Sequence, residues 1–336
     1  MSKNIDIAMI GSTSPIGEAI LELLSDQQFP VNQLIPLAFE DDTENTIEFS
    51  GANVHIQNIA EFNFANVDLV FICQLDESYQ PIVDRILDAN CRLIELGSNL
   101  QNAPVVVAGE NVDEQILKES QHIRSAEGVV VVLSQLLSNL NKDIGIKSIH
   151  FTSLQSVSEK GKAGINELAM QTTDLLNTRP IKPSVFKKQI AFNVISDDSE
   201  INMTGFSVNE RELMEELHTV LFAGHTDSAS IIPSLIHVPV FYGVCLDVHI
   251  ELKQELELTD VEKFLSGSSN VEMGLIDELI TPVSHAADMD KVFVNRIRQD
   301  PHNSKIINFL CITDTIKSGS AINGVQIAEI LVKHHL

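Results

Sequence analysis

Short apolar runs alternate with helical spacing over the first 125 residues. The runs IDIAMIG (5–11), QLIPLAF (33–39), VDLVFIC (67–73), CRLIEL (91–96) and VVVAG (105–109) read as strands, and residues 15–25 and 77–89 carry helical patterns between them. Strands that are apolar almost throughout, separated by helices, predict a doubly wound parallel sheet covered on both faces. A buried helix is predicted over 129–140. Beyond it the pattern changes to longer, alternating stretches, IKSIHFTSLQSV (146–157), SLIHVPVFYGVCLDVHIEL (234–252) and KIINFLCITD (305–314). These suit a mixed or antiparallel sheet with one half-covered face. The last segment, 320–333, spaces Ile322, Val325, Ile327, Ile330 and Leu331 as a helix, which is expected to return to the first domain.

Length supports two cores, because 336 residues exceed the size at which one hydrophobic core stops growing, and 44% hydrophobic residues can fill both. The expected fold is α/β, with residues 1–127 and 316–336 in one domain and 128–315 in an α+β mixed-sheet domain. Charge narrows the partners. Asp and Glu number 47 against 22 Lys and Arg, a formal net charge of -25, which repels a phosphate backbone or an anionic lipid surface. Neither nucleic acid nor membrane is expected as a partner. The start, MSKNIDIAMIG, runs directly into a strand pattern without a signal-peptide cleavage site, so a cytoplasmic location is expected. Cys73, Cys91, Cys245 and Cys311 form no CxxC pair and are expected as buried thiols, neither metal ligands nor disulfides. The acidic stretches 40–42 and 196–200 are read as solvated loops.

Gly11-Ser12-Thr13-Ser14-Pro15-Ile16-Gly17 joins the first strand to the first helix, where free N–H groups and the helix dipole favour a pyrophosphate. This is the placement of a Rossmann-like dinucleotide loop, although Ser14 stands where a middle glycine would let the ligand approach. The end of the second strand carries Glu40, Asp41 and Asp42. Carboxylates would repel a 2′-phosphate, so a retained cofactor is expected to be NAD rather than NADP.

Several further segments are distinctive: Phe29-Pro-Val31, Gln155-Ser-Val-Ser158 with Gly161, Gln189-Ile-Ala-Phe-Asn193, Val238-Pro-Val-Phe-Tyr-Gly243, Arg296-Ile-Arg298, and Ala321-Ile-Asn323 with Val325-Gln-Ile-Ala-Glu329. With the 11–17 loop they make the chain similar, over nearly its whole length, to the aspartate-semialdehyde dehydrogenase family, and most similar to homologues of unassigned activity. The resemblance implies a homodimer formed through the second domain and a nicotinamide-dependent step of amino-acid biosynthesis. In that step a cysteine thiolate attacks an acyl carbon, a histidine moves the proton and phosphate completes an acyl phosphate.

The chain departs from that pattern at the chemical positions. The family's cysteine position falls near Gly128, within Arg124-Ser-Ala-Glu-Gly-Val-Val-Val131, and its histidine position falls on Val244. An aliphatic side chain supplies neither a thiolate nor a proton carrier. His237 replaces the arginine that would grip the substrate carboxylate, Gln101 the phosphate arginine, Glu212 a lysine and Thr315 an asparagine near the nicotinamide. Gln155, Ser158 and Glu210 remain. Cys245, beside Val244, is the candidate for a relocated nucleophile. The leading expectation is a dimeric, catalytically inactive paralogue that binds a nucleotide or metabolite or regulates an active family member. The alternative is an NAD(P)-dependent oxidoreductase acting on an amino-acid-derived aldehyde or acyl phosphate, with Gln155 and Glu210 positioning the substrate.

Overall fold

The computed structural model describes residues 4–39, 45–74, 80–97, 103–112, 114–223, 229–275, 277–287 and 289–334. The chain divides into two compact units, Met1–Val131 with Gly319–Leu336, and Val132–Ser318. The first unit winds through β1 (Ile5–Ile10), α1 (Pro15–Asp26), β2 (Val31–Ala38), β3 (Thr46–Phe49), β4 (Ala52–His55), β5 (Gln57–Asn58), β6 (Leu69–Ile72), α2 (Gln80–Asp88), β7 (Arg92–Leu96), β8 (Val105–Val106), α3 (Glu114–Glu119) and β9 (His122–Ser125). Among the described residues its main sheet runs β5-β2-β1-β6-β7-β9-β8, parallel at every pairing, and β3 and β4 form a separate antiparallel pair. Ala8, Ile10, Leu37, Val70 and Ile72 pack with Ile82, Val83 and Ile86 of α2, which explains why these strands read as unbroken apolar runs.

The helix α4 (Gly128–Asp143) carries the chain into the second unit. There follow β10 (Ile146–Gln155), α5 (Gly161–Leu176), β11 (Ile195–Ser196), α6 (Val208–Leu221), β12 (Ser230–His237), β13 (Val244–Leu252), α7 (Leu258–Leu265), β14 (Val271–Met273), β15 (Val292–Gln299) and β16 (Ile306–Thr313). Their sheet has the order β11-β12-β10-β13-β16-β15-β14. It is mixed, since β10–β12 and β14–β15 are parallel and the other pairings antiparallel. Alternate residues of β13, from Val244 to Leu252, are buried, whereas Cys245, Asp247, His249 and Glu251 face the more open side. This is the period-two pattern of a half-covered sheet. The last helix, α8 (Ile322–His334), belongs to the first unit.

The alternating stretch 234–252 is two strands and not one. Pro239 has no N–H to give to a ladder, and Gly243 takes φ +82°, so the chain leaves β12 at Val238. The intervening loop still pairs locally: the carbonyls of Val240 and Phe241 accept the N–H groups of Val157 and Ser158 at 2.9 and 3.2 Å.

Candidate functional site

The first candidate site is the 11–17 loop. Gly11 lies at φ +76°, and a Cβ added there would sit 2.6 Å from the Gln74 Cβ, because β1 and β6 run side by side and bring their following residues together. A Cβ on Gly17 would stand 2.3 Å from the Gly11 carbonyl oxygen. Both glycines are therefore required by close backbone crossings. Ser14 caps α1: its Oγ accepts the Gly17 N–H at 3.0 Å and donates to the Cys73 carbonyl at 3.0 Å, and its own N–H bonds the Gly11 carbonyl. Pro15, at the first helical position, has no N–H. Ser12 is buried, while Thr13 and Ile16 are half-buried. The loop turns tightly from β1 into α1 and commits the Ser14 and Gly17 amides internally. Beside it Ser12, Thr13, Glu18, Glu22, Asp26 and Glu48 help to line a cleft of about 540 Å³. Four carboxylates make that side of the cleft acidic.

In the second unit the strand register sets three of the predicted positions, His237, Gln155 and Val244, in one row with Thr313, while the predicted Thr315 follows two residues later. His237 pairs with Gln155, Gln155 with Val244, and Val244 with Thr313 across β12, β10, β13 and β16. Residues paired in register share a sheet face, and all four are buried. Val244, fully buried, thus puts an aliphatic wall between Gln155 and Thr313. Beyond the row, Ser158 is buried and shares a 2.9 Å hydroxyl contact with Ser156. Thr315 donates from Oγ1 to Glu159 Oε1 at 2.6 Å. The Glu159 carboxyl is enclosed, and that desolvation raises its pKa above the ordinary value against the opposing effect of Thr315.

No relocated thiol serves the row. Cys245 follows Val244 and so points to the opposite face, where it packs with Ile280, Ala286 and Ile312. Burial, with Asp247 adding repulsion, raises its pKa further from the thiolate. Cys91 is raised by burial, then by Asp68, to about 11, and burial alone moves Cys73 higher still. Cys311 is likewise raised, by burial and then by Cys245. Gly128 opens α4 and is buried; a Cβ on Gly319 would lie 2.7 Å from both its Cα and its carbonyl oxygen, so the two backbones nearly touch.

Glu210 makes hydrogen bonds within the fold. It is the third residue of α6 in a capping box: Oε2 accepts the Ser207 N–H at 2.9 Å and the Ser207 Oγ accepts the Glu210 N–H at 3.1 Å. Its Oε1 also accepts the Leu235 N–H of β12 at 3.3 Å. Glu212, one residue on from Arg211, is exposed. Gln101 and the carboxylates Glu40, Asp41 and Asp42 lie outside the described residues.

The acidic stretch 196–200 is not simply a solvated loop. Ser196 ends the edge strand β11, and the Asp197 N–H bonds the Leu235 carbonyl at 2.9 Å, so sheet pairing draws Asp197 inside, where it is 6% exposed. Burial opposes its charge, but His237, Ser199, Ser207 and Asn209 outweigh that and hold its carboxyl well below the usual range. The His237 ring stacks edge-on against Phe186, with centroids 5.4 Å apart. Sequence reading missed Glu159 and Asp197. Only the pairing of Ile195 with His237 brings Asp197 to the histidine, and no local pattern encodes that register.

The chain matches two family profiles, "Semialdehyde dehydrogenase, NAD binding domain" over residues 6–142 and "Semialdehyde dehydrogenase, dimerisation domain" over residues 137–317. It is 33% identical to a USG-1 protein homolog of Azotobacter vinelandii, with 99% of each chain covered. It is 31% identical to aspartate-semialdehyde dehydrogenase 2 of Vibrio cholerae, with all of each chain covered. The crystal structure of aspartate semialdehyde dehydrogenase II complexed with ASA, from the same organism, superimposes with a TM-score of 0.93 at 30% identity, covering 100% of both chains. With a parallel-sheet nucleotide-type domain, a mixed-sheet domain and likeness along its full length, the chain belongs to the aspartate-semialdehyde dehydrogenase family.

Proposed function

We propose that this chain is a catalytically inactive member of its family, a dimeric ligand-binding or partner-regulating paralogue. The observation that carries the reading is the buried row His237–Gln155–Val244–Thr313. The family reaction needs a proton carrier at the place that Val244 fills, and a thiolate at the place of Gly128. All four cysteines are buried or half-buried with raised pKa values, so none offers a substitute thiolate at neutral pH. His237 stands where a guanidinium would make a two-pronged bond to a carboxylate, and one imidazole cannot reproduce that geometry. A second reading, an NAD(P)-dependent oxidoreductase on an amino-acid-derived aldehyde, is favoured by Glu159, whose raised pKa suits a proton donor.

The loop from Gly11 to Gly17 is proposed to hold a dinucleotide diphosphate, with NAD favoured over NADP. Glu18, Glu22, Asp26 and Glu48 near the loop would repel the extra phosphate of NADP. When bound, such a cofactor would supply hydride exchange; this chain's contribution is the backbone cradle. The dimer is proposed to use the second unit, whose sheet leaves Ile232 39% exposed on its open face. A second copy of the chain and an active family member are the candidate partners. Titration calorimetry with NAD and NADP tests the cofactor assignment, which tighter NADP binding would overturn. Sedimentation tests the assembly, and a stable monomer at micromolar concentration would overturn it.

A further inference from the structure

We infer that Asp197, Asp198 and His237 form a divalent transition-metal site in the second unit, with zinc as the fitting ion. One ligand atom from each of the three lies within 4.8 Å of the others. His237 is the stronger observation. Its side chain is 3% exposed, and neither Nδ1 nor Nε2 has a hydrogen-bond partner. A buried imidazole whose nitrogens make no hydrogen bond forfeits the bonds that water would have given it, and the ionic contact with Asp197 does not replace them. Nε2 faces Asp197 Oδ1 at 3.8 Å, too long for a hydrogen bond. Two ligand atoms on a tetrahedral zinc shell of radius ~2.0–2.1 Å stand roughly 3.4 Å apart, so a small closure seats the ion.

The surroundings resemble an outer shell. Asn209 Nδ2 donates to Asp197 Oδ1 at 3.0 Å and Ser199 Oγ donates to its Oδ2, fixing the carboxylate plane. The β11–β12 pairing, with the Asp197 N–H on the Leu235 carbonyl, ties both ligands to one backbone frame. Asp198 Oδ2 accepts the Lys187 N–H at 3.0 Å, and its Oδ1 lies 3.4 Å from the Lys160 Nζ. Oxygen and imidazole donors together suit zinc, and two carboxylates with a neutral imidazole would balance its charge. Lys160 is then the competing cation, which the metal must push aside.

The site does not depend on turnover, so it can be tested whether or not the chain is an enzyme. Chelator-treated, untagged full-length protein is titrated with Zn²⁺ by calorimetry and with Co²⁺ by visible absorption. The expected result is one equivalent bound, a raised melting midpoint and cobalt bands of low-symmetry, four-coordinate type. His237→Ala and Asp197→Asn should each weaken binding at least roughly tenfold, while Lys160→Met should tighten it. Should the two buried variants misfold, Asp198→Asn, nearer the surface, provides the same comparison. No binding by the wild-type chain, binding that survives His237→Ala or Asp198→Asn, or loss of binding in Lys160→Met would overturn the assignment.

Discussion

Replacing Glu210 by alanine removes the acceptor of two backbone N–H groups, those of Ser207 at 2.9 Å and Leu235 at 3.3 Å. A hydrogen bond to a charged group contributes about 1.5–3 kcal/mol in favourable cases, and an acidic residue in a first helical turn about 0.3–1 kcal/mol. Glu210 is half-buried, so solvent screening reduces these values, and about 2–3 kcal/mol in total is the reasonable loss. For a unit of this size, ~1 kcal/mol moves the thermal midpoint by roughly 2–4 °C, which places the shift near ~5–10 °C. Glu210→Gln keeps one acceptor oxygen and should lose about half as much. Circular dichroism melts of the three proteins, run beside calorimetry with aspartate analogues, separate the structural role from a ligand contact. A Glu210→Ala midpoint within about 1 °C of wild type, or a loss of analogue binding without loss of stability, would refute the capping argument.

Two other substitutions probe the first loop and the enclosed carboxyl. Gly17→Ala sets a methyl 2.3 Å from the Gly11 carbonyl oxygen, a backbone atom, and should cost about 1–3 kcal/mol or more in thermal or denaturant unfolding; a neutral result would mean that the crossing relaxes freely. Glu159 has a folded pKa raised above its unfolded value, so wild-type stability should fall relative to Glu159→Gln as pH climbs from about 4 through the folded pKa, then stay constant. Paired urea melts across pH 3.5–8 check the sign, and a glutamine variant that loses ground to wild type with rising pH would contradict it.

The first unit was readable because its strands are buried on both faces and its loop is fixed by glycines at required close approaches. Ser14 and Pro15 are also local signals, a cap followed by a first-turn proline. The second unit was readable as an alternating sheet, but its register was not. That Gln155, Val244 and His237 share one row follows from pairing between residues far apart in sequence. The break at Val238–Gly243 was hidden because the apolar pattern continues through it, although Pro239 and Gly243 carried the warning. The capping bonds of Glu210 were also legible, since Ser207-Val-Asn-Glu210 is a capping-box sequence ahead of an apolar face. The inward turn of Asp197 could not, because acidic runs are ordinarily solvated and only edge pairing buries this one.

The central claim is met most directly by assaying the purified chain for phosphate-dependent oxidation of aspartate semialdehyde, in both directions and with NAD and NADP. Loss of a nucleophile that works as a unit with its base costs factors near ~10⁶, so no turnover above background is expected. Gly128→Cys alone should remain inactive, because Val244 still supplies no base. Robust wild-type turnover that persists when Cys73, Cys91, Cys245 and Cys311 are all changed to serine would contradict the account and point to a non-thiol mechanism.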